Sequence, residues 1–148
     1  MKPVVVGVDI KRTRGDIYAV LEDAEKNPKW LPAMSSCKWT TPPPIGVGSR
    51  YEQVARYLGK EIRTTFEVTA HEPGHSITIQ SREGSSFPLT VTRQVHQRGE
   101  SHCLVTEMVD SDPSGFYRIA APVLHAMVRR SILRSYKRLR ELMESGEL

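Results

Sequence analysis

Alternation between apolar and polar residues recurs in short segments through most of the chain, and this pattern limits the fold more than any other feature. It predicts strands at about 3–10, 34–41, 49–57, 60–70, 75–83, 86–97 and 100–110. Helical spacing occurs only over 13–24 and near the C-terminus, and Asn27-Pro28 marks a turn or a one-turn helix. Strands flanked by helices in this way predict an α+β protein, in which an antiparallel sheet needs something to cover its apolar face.

A long C-terminal helix is the best candidate for that cover. Proline is tolerated in a first helical turn but breaks a helix interior, so the helix is predicted to begin at Pro122. A loop is predicted before it, with residues Asp110, Asp112, Pro113, Ser114 and Gly115. One side of the helix is apolar, with residues Val128, Ile132, Tyr136, Leu139, Leu142 and Met143. The opposite side is basic, with residues Arg129, Arg130, Arg134, Lys137, Arg138 and Arg140.

The net charge of +4 comes mainly from this basic side. Clustered basic residues can bind nucleic acid or an anionic surface. A solvated helix face explains the charge here, and no aromatic-rich platform for stacking bases accompanies it. Nucleic-acid binding is therefore not predicted, whereas docking of the basic helix on an acidic partner or transient contact with a membrane surface stays open.

The stretch His71-Glu72-Pro73-Gly74-His75 matches the H-E-x-x-H signature of zinc proteases. That signature works on a helix, where residues four apart share a face and two imidazoles converge on one metal ion. Pro73 removes a backbone donor, and Pro-Gly is typical of turns. We interpret the stretch as a turn between two strands with surface histidines, and we predict neither a metal site nor a cofactor.

Length and composition favour one domain over residues 1–148, because a chain of this size with 39% hydrophobic residues can bury one sizeable core. The N-terminus lacks an apolar run long enough for a secretory signal, and no segment approaches a membrane span, so a cytoplasmic location is expected. Cys37 and Cys103 lie in separate predicted strands and are expected to be reduced.

Two of the predicted strands form a hairpin at Leu58-Gly59-Lys60. A short register places a mostly apolar set on one face, namely Tyr51, Gln53, Ala55, Tyr57, Ile62, Thr64, Phe66 and Val68. The opposite face is charged and wet, with Arg50, Glu52, Arg56, Arg63 and Glu67. In the last strand, two sets compete for the inner face: Leu104, Thr106 and Met108 against Cys103, Val105 and Glu107.

Together these features resemble the START-like superfamily, also called SRPBCC, and particularly its polyketide cyclase/dehydrase and lipid-transport branch. The residues that carry the resemblance are Asp23 and Trp30 around the first helices, Gly46 and Gly48 before the third strand, the turn Glu72-Pro73-Gly74, and Pro122. The resemblance covers nearly the whole chain. It implies a helix-grip fold: a curved antiparallel sheet of about seven strands wraps around the long C-terminal helix, two short helices follow the first strand, and a deep cavity lies between sheet and helix.

That implied cavity leads to a hypothesis for a ligand site, because small-molecule pockets are concave and mostly apolar with a few polar groups. From the sheet we expect Tyr51, Gln53, Thr64, Phe66, Ile79, Leu89 and Val91 to face the cavity. From the helix we expect Leu124, Met127 and Val128, with Trp30 and Met34 near the mouth. Inward polar residues favour a wet or ligand-filled cavity over a dry core, since a buried polar group without a partner costs free energy.

The leading hypothesis is a protein that binds a hydrophobic or amphipathic small molecule, such as a lipid, an isoprenoid or a polyketide. The alternative is an enzyme of the cyclase/dehydratase type that uses the same cavity, with Tyr51 and Glu107 as weak candidates for catalysis. Arg93, His96 and His125 are further candidates. Arg93 and Glu107 are expected to point outward. His96 is expected to lie on the solvent-exposed face of its strand, and His125 at the edge of the last helix. No catalytic constellation is therefore predicted.

Overall fold

The strands of this protein form one antiparallel sheet that curls around a helical layer. The computed structural model describes residues 2–57, 59–82, 88–111 and 121–148. The strands within these ranges are β1 (Val4–Ile10), β2 (Met34–Trp39), β3 (Arg50–Tyr57), β4 (Lys60–Glu72), β5 (Ser76–Ser81), β6 (Leu89–Gly99) and β7 (His102–Ser111). Their order in the sheet is β1-β7-β6-β5-β4-β3-β2. The chain therefore crosses from one edge of the sheet to the other between β1 and β2, and returns strand by strand.

Short helices make that crossing: α1 (Arg14–Glu22), a 3-10 turn (Ala24–Lys26) and α2 (Asn27–Trp30). The Thr13 side chain caps α1 by accepting a hydrogen bond from the backbone of Asp16, and Asp23 caps the 3-10 turn in the same way. The indole of Trp39 also donates to Asp23, at 3.1 Å, which ties the turn to β2. Two short helical segments after the first strand were predicted, and the structure confirms them.

The hairpin of β3 and β4 has the predicted register. Tyr51 lies opposite Phe66 and Gln53 lies opposite Thr64, and these residues are on the concave face of the sheet. On the convex face, Arg50 pairs with Glu67 and Arg63 pairs with Glu52. Leu58 of the predicted turn lies outside the described residues.

The choice between the two faces of β7 is also decided by register. Val105 pairs with Val8 and Val95, and Val109 pairs with Val4 and Val91, all of them buried. Cys103, Val105 and Glu107 therefore face the core. Met108 lies on the convex face, where it is partly exposed to solvent.

The His71-Glu72-Pro73-Gly74-His75 stretch is a turn, as predicted. β4 ends at Glu72, β5 begins at Ser76, and Gly74 has a φ of 81°, a conformation that favours glycine. His75 is exposed, whereas His71 is half-buried with Nε2 at 2.8 Å from Glu22 Oε2.

The long helix, α3 (Ala121–Glu144), begins one residue before Pro122 and packs along β1 and α2. Its buried side chains include Tyr136, Leu139 and Met143, which belong to the predicted apolar side. The predicted loop residues 112–115 lie outside the described ranges. None of the helices described is both long enough and apolar enough to cross a membrane.

Two methionines of α3 test how much the buried side of the helix contributes to stability. Met143 is 1% exposed and Met127 is 63% exposed. We expect Met143→Ala to lower the free energy of unfolding by about 2–5 kcal/mol, because the substitution leaves a cavity in the core. Met127→Ala should change it by less than about 0.5 kcal/mol. Urea unfolding of both variants measures the difference, and equal effects would contradict the helix orientation described.

Candidate functional site

A buried ion pair lies on the concave face, between β6 and β7. Arg93 of β6 and Glu107 of β7 are cross-strand partners, and Arg93 Nε donates to Glu107 Oε1 at 2.8 Å. Their side chains are 9% and 5% exposed. The expectation that both point outward is wrong, because they share a face with buried Val91, Val95, Val105 and Val109. The carboxylate and the guanidinium thus sit among apolar neighbours.

The helical layer completes this network. Tyr136 of α3 donates its hydroxyl hydrogen to Glu107 Oε1 at 2.8 Å. The guanidinium carbon of Arg93 lies 5.0 Å from the ring centre of Trp30, within cation–π range. Trp30 in turn packs edge-on against Tyr136, with ring centres 5.0 Å apart. One charged pair therefore joins β6, β7, α2 and α3.

The charges in this network affect the titration of the surrounding groups. Burial, together with the Glu107 carboxylate, raises the pKa of Tyr136 well above its usual value. Burial by itself would lower the pKa of Arg93, but Tyr136, Glu107 and Tyr51 more than offset this, so the guanidinium stays charged. Burial also raises the pKa of Tyr51, and it raises the pKa of the Cys37 thiol to about 11. At neutral pH the phenols and the thiol are therefore protonated.

A small cavity adjoins this network, between the sheet and the short helices. Its lining residues are Leu21, Glu22, Ala24, Asn27, Trp39, Tyr51, Ile77, Ile79, Val91 and Arg93. The expectation of a deep cavity between the sheet and the C-terminal helix is wrong for this cavity, because none of its described lining residues comes from α3. The centre of a water molecule has about 10 Å³ in which to move, which is room for roughly one water. A larger molecule does not fit into this cavity while the short helices stay in place.

Two polar groups of α2 are buried without a hydrogen-bond partner among the described residues: Asn27 Nδ2 and Trp30 Nε1. Asn27 uses its other amide atom, Oδ1, to accept from Arg93 Nη1 at 3.4 Å. An unpaired buried donor costs roughly 1–3 kcal/mol. Asn27 Nδ2 and the guanidinium of Arg93 thus provide hydrogen-bond donors beside the cavity, and an acceptor there would satisfy the unpaired amide.

Several of the residues predicted for the ligand site do lie together on the concave face. Tyr51, Ile79 and Val91 line the cavity. Phe66 stacks on Tyr51 with ring centres 5.4 Å apart, and Thr64 is buried further along β4. Three other predicted residues are partly buried at the margins of the concave face: Gln53, Met34 and Leu89. Gln53 Oε1 lies 3.8 Å from Cys37 Sγ.

Other predicted residues lie elsewhere. Trp30 was expected near the mouth but is fully buried against Tyr136, because α2 packs into the core instead of lining an entrance. Met127 was expected to face the sheet but points to solvent, whereas Leu124 and Val128 are half-buried.

The two histidines among the catalytic candidates lie away from the ion pair. His96 is exposed, as expected for a wet face, with Nε2 at 3.4 Å from Thr106 Oγ1. His125 Nε2 lies 3.2 Å from the backbone oxygen of Pro3, so it links the start of α3 to the start of β1. Neither side chain is part of the buried network.

Sequence reasoning missed Asn27 as a site residue. An asparagine before a proline is typical of a turn or a helix start, which are usually exposed, and nothing local distinguishes this one. Only the packing of α2 against β2 and α3 buries it.

Residues 1–144 match the model of a known family, described as polyketide cyclase / dehydrase and lipid transport. The chain belongs to this family. None of the curated proteins matches it.

Solved structures share the fold at low sequence identity. A protein from Thermus thermophilus aligns with a TM-score of 0.82 at 18% identity, covering 99% of this chain and all of that one (100%). A START superfamily protein from Mycobacterium smegmatis aligns with a TM-score of 0.81 at 16% identity, covering 97% of both chains. The Zhui aromatase/cyclase from Streptomyces sp. R1128 aligns with a TM-score of 0.77 at 13% identity, covering 97% of this chain and 93% of that one. These likenesses establish the helix-grip fold.

Removing one partner of the buried ion pair should be costly. We expect Glu107→Gln to lower the free energy of unfolding by about 3 kcal/mol or more, since it leaves the Arg93 charge buried without a counter-charge. Glu52→Gln makes the same change in the exposed cross-strand pair with Arg63 and should cost at most about 1 kcal/mol. Urea unfolding at neutral pH compares the two variants, and a similar cost for both would show that the central pair is solvated.

Alkaline pH should weaken the fold through Tyr136. Its pKa is raised in the folded protein, so above about pH 10 the unfolded chain loses a proton that the folded chain keeps, and stability falls as pH rises. Below that pH the contribution is fully present. The Tyr136→Phe variant has no phenol at this position to ionise. Its free energy of unfolding should therefore fall less steeply with pH, with a difference in slope of up to about 1.4 kcal/mol per pH unit. Unfolding free energies between about pH 8 and 11 measure both slopes, and parallel slopes would count against a buried phenol.

Proposed function

We propose that residues 1–148 form one ligand-binding domain, which holds a hydrophobic or amphipathic small molecule with a hydrogen-bond acceptor at one end. The observation that carries this proposal is the unpaired amide nitrogen of Asn27 beside the Arg93 guanidinium, both lining a cavity whose walls are mainly apolar. Family membership supports the same class of function, since the family is described by polyketide cyclase, dehydrase and lipid transport.

The chemistry of the lining residues sets the polarity of the ligand. Arg93 carries a permanent positive charge and Asn27 Nδ2 is an open donor, while the Glu22 carboxylate that also lines the cavity is bonded to His71 at 2.8 Å. The cavity therefore favours a carbonyl, carboxylate or phosphate oxygen over an amine. The apolar side chains of Ile77, Ile79 and Val91 lie around them and suit a hydrocarbon or a ring system. Phe66, Thr64, Gln53 and Leu89 continue the concave face and are the further contacts that we propose.

Binding requires a change of shape, because the cavity holds about one water. The short helices cover the cavity. The hydrogen bond that joins α2 to Arg93 through Asn27 is long, at 3.4 Å, and the indole nitrogen of Trp30 forms no hydrogen bond with the described residues. Outward movement of this layer would expose the donors and open space on the apolar face. A bound acceptor would then satisfy the amide nitrogen of Asn27, which lines the cavity and costs free energy while it is unpaired.

An enzyme of the cyclase/dehydratase type is the second candidate. Tyr51 lines the cavity with a pKa raised by burial, so it is a protonated phenol beside the positive charge of Arg93. A phenol in that position could donate a proton to a ligand carbonyl, whereas Glu107 and Tyr136 are already bonded to each other.

Three compounds with the same hydrocarbon chain test the proposed ligand class: dodecanoic acid, methyl dodecanoate and dodecylamine. We expect the acid and the ester to raise the melting temperature and to bind more tightly than the amine, because only they present an acceptor without a competing positive charge. Asn27→Leu should weaken the binding of dodecanoic acid roughly tenfold, since it removes the open donor. Gln94→Leu, on the exposed side of β6, is the matched control and should leave binding unchanged.

Native mass spectrometry and organic extraction of the purified protein complete this experiment. A stoichiometric compound with an acceptor group, recovered unchanged after incubation, supports a carrier. A compound that is converted, and is no longer converted by Tyr51→Phe although it still binds, supports the enzyme. Equal binding of all three probes, or tighter binding of the amine, would overturn the acceptor requirement.

A further inference from the structure

The outer side of α3 carries apolar and basic residues in a single stripe. Val123 and Met127 are each 63% exposed, which is unusual for large apolar side chains on the same face of a helix. At roughly 100° per residue, Arg130, Arg134, Lys137 and Arg138 fall on the same side as these two residues, and acidic Glu141 follows them at the far end. We call this set, Val123, Met127, Arg130, Arg134, Lys137 and Arg138, the outer stripe.

The basic part of the outer stripe is available to an external anion. Arg130, Arg134 and Lys137 are exposed, and within the described residues none of them forms an ion pair. Arg138 donates to the backbone oxygen of Lys29 at 3.1 Å, so exposed Lys29 of α2 lies beside it and extends the positive surface. The positive charge thus reaches from the middle of α3 to α2.

The apolar part lies at one end of this surface. Val123 and Met127 belong to the first turns of α3, which the contact of His125 with Pro3 places beside the start of β1. β7 ends at Ser111 on this same side of the sheet, since Val4 pairs with Val109. The stripe therefore runs from an apolar patch at the sheet end to a basic patch further along the helix.

We propose that the outer stripe docks the protein on the surface of an anionic phospholipid bilayer. Lys and Arg side chains are attracted by the negative charge of the lipid headgroups, and neighbouring apolar side chains enter the interface. An acidic protein or a nucleic acid would satisfy the arginines but would leave Val123 and Met127 in water or against polar groups, so the combination favours the bilayer. This inference is independent of the ligand proposed above, because it rests on the opposite side of α3.

Vesicle binding by the full chain tests the docking. The probes are vesicles of phosphatidylcholine alone and vesicles with about 30% phosphatidylserine, without any added ligand, at about 0.05 M and 0.5 M salt. We expect binding only to the anionic vesicles, and much weaker binding at the higher salt. The double variant Arg130→Gln/Arg134→Gln should weaken it roughly tenfold or more, and Met127→Gln roughly threefold.

Matched controls show whether vesicle binding depends on the position of the substituted residues or only on the change in net charge or hydrophobicity. Lys38→Gln/Arg98→Gln removes the same number of positive charges from exposed positions on β2 and β6, and Met108→Gln makes the same change as Met127→Gln on the convex face of β7. Both controls should bind within about twofold of the unmodified protein, while circular dichroism verifies that all variants fold. The proposal is overturned if the anionic vesicles are not bound at low salt, or if the controls lose as much binding as the outer-stripe variants. It is also overturned if a short DNA duplex displaces the protein from vesicles and Met127→Gln has no effect.

Discussion

The Arg93–Glu107 ion pair is the interaction on which the arrangement of the other layers depends. Removing two charges from water costs several kcal/mol per ion, and only good geometry with further hydrogen bonds offsets that cost. Tyr136 supplies one of those bonds from α3, Asn27 supplies a weaker one from α2, and the ring of Trp30 covers the guanidinium. Both helices are therefore held at the positions where they complete the shell of a charge pair that the sheet carries.

The same pair gives the concave face its chemical character. A buried ion pair can often be replaced by apolar residues of similar volume without loss of stability, so net stability alone does not explain its presence here. Here it places a permanent positive charge beside a cavity and orients Asn27 through its Oδ1, which turns the amide nitrogen into an open donor. An amphipathic ligand with an acceptor group would require hydrogen-bond donors beside an apolar surface. This combination is the basis of the function that we propose.

The two sides of α3 have separate tasks. The inner side, with Tyr136, Leu139 and Met143, covers the sheet and closes the ion-pair network. Among the described residues, the outer side adds little to the core, although Arg138 donates to the backbone oxygen of Lys29. A solvated face explains its basic residues but not the exposed apolar side chains of Val123 and Met127 beside them. A protein that exchanges a hydrophobic ligand would gain from touching the membrane that holds such ligands, so the two proposals are compatible although each stands on its own residues.

Much of the fold could be predicted from the sequence by itself. The strands, the turn at Pro73-Gly74, the facing of Tyr51 and Phe66 and the start of the long helix all follow from local rules: period-two alternation, proline and glycine chemistry, and the register of a short hairpin. These rules act over a few neighbouring residues, and they predict an antiparallel sheet covered by a C-terminal helix. The helix-grip architecture itself was what the family resemblance implied, and the structure confirms it.

The polar centre of the site was decided only by the tertiary structure. Alternation places Arg93 in phase with Val91 and Glu107 in phase with Val105, but charged side chains are ordinarily assigned to solvent. Each of the two is buried here because its partner on the neighbouring strand neutralises it. Asn27 and Trp30 became buried through the docking of a four-residue helix, whose position depends on β2 and α3 and not on its own sequence.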